Sequence, residues 1–274
     1  MARDRIAEKF ARIEAERRTG LVLFLTAGVP DMAATMELVP ELVQAGADCI
    51  ELGVPFSDPL ADGPTIQASS FHALRNGVTP ADCIQAVGAL RDKVPDTPMI
   101  LMGYYNPILS YGLQAFCRDA RQAGVDGVIV PDLPVEESAP LLEACVPNGI
   151  HVIPLLAPTS TDSRIERACS AASGFVYCVS LAGVTGARDE LPSGVFHLLE
   201  RVRRHTGLPL AVGFGISRRD HVMAIKGHAQ AAVVGSALLK IIMDSPRDGL
   251  VEMARRYVQE LSGAVPSLKG GAAG

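Results

Sequence analysis

The chain has 274 residues, 48% of them hydrophobic and 20% charged, enough to build a sizeable buried core. A formal net charge of −5 with no basic stripe argues against a nucleic-acid surface. The longest apolar runs are strand-sized and too short to span a membrane as helices. The six cysteines, at positions 49, 83, 117, 145, 169 and 178, contain no Cys-x-x-Cys pair, and no Cys/His cluster has zinc-site spacing. A chain of this length needs no disulfide staples, so they read as reduced, mostly buried thiols of a cytoplasmic protein.

Residues 3–18 are not a targeting segment. They lack an apolar stretch and carry Asp4, Glu8, Glu14 and Glu16. Ile6, Phe10 and Ile13 fall at helical spacing, which predicts an amphipathic N-terminal helix within residues 1–18. Beyond it, short β-rich runs alternate with segments of helical period. Strands are predicted at 21–26, 49–53, 98–102, 127–130, 151–155, 175–179, 210–213 and 231–234. Helical patterns lie at 32–45, 80–93, 111–123, 136–147, 162–172, 193–205, 218–227 and 236–261. This alternation implies right-handed βαβ units and a parallel sheet. Eight units in a chain of this size predict a (β/α)8 barrel; the alternative is an open doubly wound sheet. The open sheet lacks its usual Gly-x-Gly-x-x-Gly after the first strand, where the sequence reads Thr26-Ala27-Gly28-Val29-Pro30. No linker divides residues 1–274, so one domain is expected, with a Gly/Ala-rich, disordered tail at 267–274.

Barrel active sites form at the C-terminal ends of the strands, which gives each chemical candidate a test. Glu51 lies inside the apolar second strand, where an acid is costly unless paired or used. Alternation puts Cys49, Glu51 and Gly53 on the lumen face, and Ile50 and Leu52 toward the helices. Asp62 follows eleven residues later, in a loop stiffened by Pro55, Pro59 and Gly63-Pro64. On composition Asp62 reads as a turn former in Asp-Gly, and Asp58, in Ser-Asp-Pro, still more so. Asp132, in Val-Pro-Asp-Leu-Pro, either serves a site or caps the helix that follows. Gly213-Phe214-Gly215 and Gly235-Ser236 follow the last two strands, the usual phosphate-binding position of barrels. The loop from Ser180 to Arg188, with Gly183 and Gly186, suits a lid. No lysine stands at a strand end: Lys93, Lys226 and Lys240 fall in or near helices. No His/carboxylate cluster suggests a metal, and no Gly-x-Ser-x-Gly elbow is present. Acid–base chemistry by carboxylates on a small phosphorylated substrate remains.

The run from Glu51 to Gln67, Glu-Leu-Gly-Val-Pro-Phe-Ser-Asp-Pro-Leu-Ala-Asp-Gly-Pro-Thr-Ile-Gln, resembles the signature of the tryptophan synthase alpha chain. The likeness continues through Tyr105-Asn106-Pro107, Val130-Pro131-Asp132-Leu133-Pro134, Gly183-Val184-Thr185-Gly186, Gly213-Phe214-Gly215-Ile216-Ser217 and Val234-Gly235-Ser236. It implies a (β/α)8 barrel with an extra N-terminal helix, cleaving indole-3-glycerol phosphate to indole and glyceraldehyde 3-phosphate. Glu51 would be the general acid/base and Asp62 the second catalytic carboxylate. Phe24, Tyr177 and Phe214 would line the substrate pocket, and Gly186, Gly215, Gly235 and Ser236 would hold the phosphate. The resemblance also implies a beta chain in an α2β2 complex, faced by the loop with Asp58 and Pro59. Pyridoxal phosphate would sit in that beta chain; this chain would need neither cofactor nor metal. The competing expectations are a stand-alone indole-3-glycerol phosphate lyase, a catalytically idle allosteric subunit, and an unrelated phosphosugar isomerase. The loops at 54–70 and 180–192 are expected to order around phosphate ligands.

Overall fold

The computed structural model describes residues 3–179, 193–213 and 215–266. The chain opens with α1 (Arg5–Ala15), β1 (Gly20–Thr26), α2 (Met32–Gln44) and β2 (Cys49–Gly53). It continues through α3 (Pro64–Arg75), α4 (Pro80–Arg91), β3 (Met99–Met102), α5 (Tyr105–Tyr111), α6 (Leu113–Ala123) and β4 (Gly127–Ile129). Then come α7 (Ala139–Cys145), β5 (His151–Val152), β6 (Leu155–Leu156), α8 (Asp162–Ala171), β7 (Val176–Val179) and α9 (Ser193–Arg203). The last elements are β8 (Leu210–Gly213), α10 (Arg219–Ala224), β9 (Ala231–Val234), α11 (Ser236–Asp244) and α12 (Leu250–Ser262). No helix among the described residues is long and apolar enough to cross a membrane.

All strand pairs are parallel, in the order β5-β4-β3-β2-β1-β9-β8-β7-β6. The predicted fifth strand, 151–155, is two short pieces with Ile153-Pro154 between them. β5 pairs with β4, and β6 with β7. The Ile153 N–H donates to Val128 O at 3.0 Å, and the Pro154 carbonyl accepts from Tyr177 N at 3.0 Å. The ladder is thus handed from one neighbour to the other across two residues, and the sheet closes as a (β/α)8 barrel. Pro154, which has no N–H to donate, sits where the strand breaks.

Two cores follow from strand alternation. Between sheet and helices lie Leu21, Leu23, Leu25, Ile50, Leu52, Leu101 and Val128 with the inward faces of the helices. The lumen holds Val22, Cys49, Ile100, Ile129, Ile153, Phe175, Tyr177, Ala211, Ala231 and Val233. Ile6, Phe10 and Ile13 of α1 belong to this second cluster, so α1 plugs the N-terminal end of the barrel. Each of these side chains contributes ~1.5–3 kcal/mol by burial. Asp4 starts α1 by accepting from Ala7 N at 3.0 Å. Arg5 fastens the helix to the buried Asp126 at 3.0 Å, and Arg91 holds the other oxygen of that carboxylate at 2.9 Å.

Three expectations are corrected here. The stretch 54–70 is not all loop, because α3 begins at Pro64, a favoured first helical residue after the extended Gly63. The helical pattern at 236–261 is two helices, interrupted around Pro246, which cannot continue the first one. A helix at Tyr105–Tyr111 separates β3 from α6, where helical pattern had been read only from 111 onward.

Candidate active site

β2 puts Glu51 in register with Phe24 of β1 and Ile100 of β3. Its lumen neighbour Cys49 lies in the inner cluster, whereas Ile50 and Leu52 pack outward, as alternation requires. Glu51 is fully buried, and neither carboxylate oxygen has a hydrogen-bond partner among the described residues. Desolvation, reinforced by the charge of Asp62, pushes its pKa up to about 8. An acid in this setting stays protonated at neutral pH.

Asp62 stands in the loop just ahead of α3. Its N–H donates to Pro59 O at 3.1 Å, and Gln67 Nε2 donates to its carbonyl at 2.9 Å. The Tyr104 hydroxyl donates to Asp62 Oδ2 at 3.1 Å and accepts from Ala61 N at 2.9 Å. The Phe56 ring, 5.2 Å from that of Tyr104, braces the phenol from the same loop. Burial raises the Asp62 pKa to about 6, with the Tyr104 hydrogen bond opposing the rise. The pair therefore holds one carboxyl that ionises readily below neutrality and one that does not.

Two aromatic rings depend on glycines for their seats. A Cβ on Gly213 would stand 2.6 Å from the ring and hydroxyl of Tyr177, and one on Gly53 would stand 2.7 Å from the Phe24 ring. Only a residue without a side chain leaves room for either ring. Burial holds the Tyr177 phenol well above its ordinary pKa, and the charges of Glu51 and Asp62 add to the effect. A cavity of about 510 Å³ is lined by Asp62, Met102, Pro131, Ile153, Tyr177 and Gly213, among others. A smaller cleft, bounded by Phe24, Gly53, Asp62 and Tyr104, adjoins it through the shared Asp62. Glu51 lines neither space.

Gly215 has φ +71°, and Gly235 precedes α11, whose first residue is Ser236. The unpaired N–H groups of that first turn suit an anion. Gly235 also abuts Phe24, toward which a Cβ would come within 3.4 Å. Gly186 and Phe214 lie outside the described residues, as do the lid 180–192 and the tail 267–274. Asp58 is exposed, whereas Pro59 is buried; the large exposed apolar side chain of that loop is Leu60, 87% accessible. Asp132 accepts from the Tyr105 N–H at 2.9 Å, so it caps α5 rather than the helix expected after it. Tyr104 was not singled out in the sequence, although it lies two residues past β3, at the strand end where barrel sites form.

A family model for the tryptophan synthase alpha chain matches residues 10–265. The tryptophan synthase alpha chain of Roseiflexus castenholzii is 52% identical over 259 residues, 94% of this chain and 99% of its own. The solved Mycobacterium tuberculosis tryptophan synthase matches with a TM-score of 0.88 at 36% identity, covering 97% of this chain and 100% of that one. The tryptophan synthase a2b2 complex of Pyrococcus furiosus matches with a TM-score of 0.84 at 42% identity, covering 89% and 98%. With the family model spanning nearly every element of the barrel and half of all aligned residues shared with one relative, the chain belongs to the tryptophan synthase alpha chain family.

Proposed function

We propose that this chain, as a single (β/α)8 domain, cleaves indole-3-glycerol phosphate to indole and glyceraldehyde 3-phosphate, with Glu51 and Asp62 as its catalytic carboxyls. The observation that carries the reading is the contrast between the two acids: Glu51 is fully buried with neither carboxylate oxygen partnered among the described residues, whereas Asp62 lines the cavity with its carboxylate held by the Tyr104 hydroxyl. Environments that push two carboxyls apart assign them different roles.

The cleavage is a retro-aldol reaction. Indole C3 first accepts a proton, giving a cationic indolenine. The bond from C3 to the glycerol chain then breaks, and its electrons restore the aromatic ring. The hydroxyl on the released carbon loses its proton and becomes the aldehyde. Glu51, protonated at neutral pH, gives the first proton and takes the second, so it ends as it began. Because Glu51 is buried outside the cavity lining, the bound substrate must draw its carboxyl toward C3. Asp62 faces the cavity as an anion, accepts the indole N–H and stabilises the positive charge growing on the ring. Phe24, Tyr177 and Phe214 hold the ring plane. Gly186, Gly215, Gly235 and Ser236 hold the phosphate, far from the bond that breaks, so its binding energy orients the substrate.

The chemistry is acid–base throughout, and pyridoxal phosphate belongs on this reading to a beta chain, to which indole passes in an α2β2 assembly. Asp58 and Pro59 mark the loop that meets this partner, with the exposed Leu60 beside them. We take the chain to work in the cytoplasm, a setting that suits six unbridged cysteines.

Indole release by the purified chain tests the function directly. Slow turnover alone, accelerated roughly tenfold or more by a beta chain, is the expected result. Full speed without a partner favours the stand-alone lyase. Absence of indole in both arms favours the idle subunit, and isomerised glyceraldehyde 3-phosphate favours the isomerase. Gly213→Ala probes the pocket. The added methyl collides with Tyr177, and kcat/KM is expected to fall ~10-fold with the fold retained. An unchanged kcat/KM would remove Tyr177 from the substrate pocket.

A further inference from the structure

We propose that Cys117 and Cys145 are a reversible oxidation site, closing to an intrachain disulfide when the protein meets a peroxide or a low-molecular-weight disulfide. Cys117 lies on α6 and Cys145 ends α7, and both are fully buried. Their sulfurs stand 2.9 Å apart, the one thiol–thiol hydrogen bond among the described residues. A disulfide needs about 2.05 Å, so the sulfurs stand about 1 Å from bonding distance. The other cysteines, 49, 83, 169 and 178, are likewise buried and unbridged, and among the described residues none of them is hydrogen-bonded to another thiol, which makes α6–α7 the favoured place for a bond.

The two sulfurs share one hydrogen bond in which either thiol can donate, so either can act as the nucleophile and the other as the resolving thiol. With hydrogen peroxide, the sulfur of one thiol attacks one oxygen, the O–O bond breaks, and water leaves with the thiol proton. The sulfenic acid that results is attacked by the sulfur of the other, which expels a second water. Two thiols lose two electrons and two hydrogens, and one peroxide becomes two waters. With a small disulfide, two successive exchanges release two small thiols.

The bond would tie down a weak part of the wall. α7 has seven residues between two 3-10 turns, and its Leu141 and Leu142 line the 510 Å³ cavity. Burial keeps reagents out until α7 opens, so the oxidation rate reports that opening. A cross-link spanning 28 positions of sequence restricts the unfolded chain.

The test incubates the full chain with hydrogen peroxide and, separately, with oxidised glutathione, followed by intact mass and non-reducing peptide mapping. The expected product has lost two hydrogens, yields a peptide linking 117 to 145, and melts ~5 °C higher. Dithiothreitol reverses all three changes, and Cys145→Ser does not form the product. Because reversal is read on the unsubstituted protein, the test survives a variant that folds poorly. No 117–145 peptide in either arm, or a dominant link between other cysteines, overturns the proposal. Cleavage of indole-3-glycerol phosphate is not involved, so the result is independent of the proposed lyase.

Discussion

Glu51→Gln is expected to lose at least ~10³-fold in indole release while the barrel stays folded. The amide is isosteric but neither gives nor takes a proton, so both protonic steps lose their agent. The same substitution carries a signature in stability. Burial raises the Glu51 pKa from 4.5 to about 8, so the folded chain holds that proton more tightly than the unfolded chain does. Below pH 4.5 the carboxyl is protonated in both states and costs nothing through ionisation. As pH rises through the window from 4.5 to about 8, the unfolded state ionises first and the folded state loses stability relative to it. The loss is complete above pH 8 and on the order of a few kcal/mol. Glutamine has no such dependence. Thermal melts of the two proteins from pH 5 to 9 should therefore diverge in favour of the variant as pH rises. Parallel curves would mean that Glu51 is not held neutral by its surroundings, and undiminished turnover would remove it from the mechanism.

Asp62→Asn is expected to reduce kcat/KM ~10²- to 10³-fold, through loss of the anion beside the indole nitrogen. On the proposed mechanism the parent requires Asp62 ionised and Glu51 protonated. Its kcat/KM profile should be a bell with an acid limb near pH 6 and an alkaline limb near pH 8. Since the Asp62 charge contributes to the high pKa of Glu51, the limbs belong to the pair. In Asp62→Asn the acid limb should vanish, and the alkaline limb should move to lower pH because the repelling charge is gone. An acid limb that persists in the variant would assign it to another group.

Glu51 was legible in the sequence because strand alternation and the cost of a buried acid both point at one residue. Strands β1, β8 and β9 were legible because each is an unbroken apolar run ended by a polar or glycine residue, and β2 because its apolar run is interrupted by a single acid. The fifth strand was also found, but its break was not, because a two-sided apolar run says nothing about which neighbour each piece will pair with; Pro154 was the available warning. α3 escaped because its period is blurred: Ser69, Ser70 and Ala73 are its buried residues, and no stripe of large apolar side chains marks the face. Asp62 could not be told from a turn residue on composition. Its distinguishing features are a phenol from 42 positions away and a cavity shared by several strands, neither of which is local. Asp132 is a strand-end acid whose carboxylate caps a helix while the residue lines the same cavity as Asp62.

The α1 plug gives the barrel a direction. With Ile6, Phe10 and Ile13 seated in the floor of the lumen, the cavity at the strand C-termini is the mouth of a vessel closed below. Substrate and both products then share that mouth, and an aromatic product and a charged one cannot leave by separate ends. On the proposed reading, order of departure becomes a property of the rim, where the loops after β8 and β9 would hold the anion and the loop after β2 carries Asp62. A partner docked on the rim would govern traffic without touching the chemistry, by choosing which product finds the doorway free.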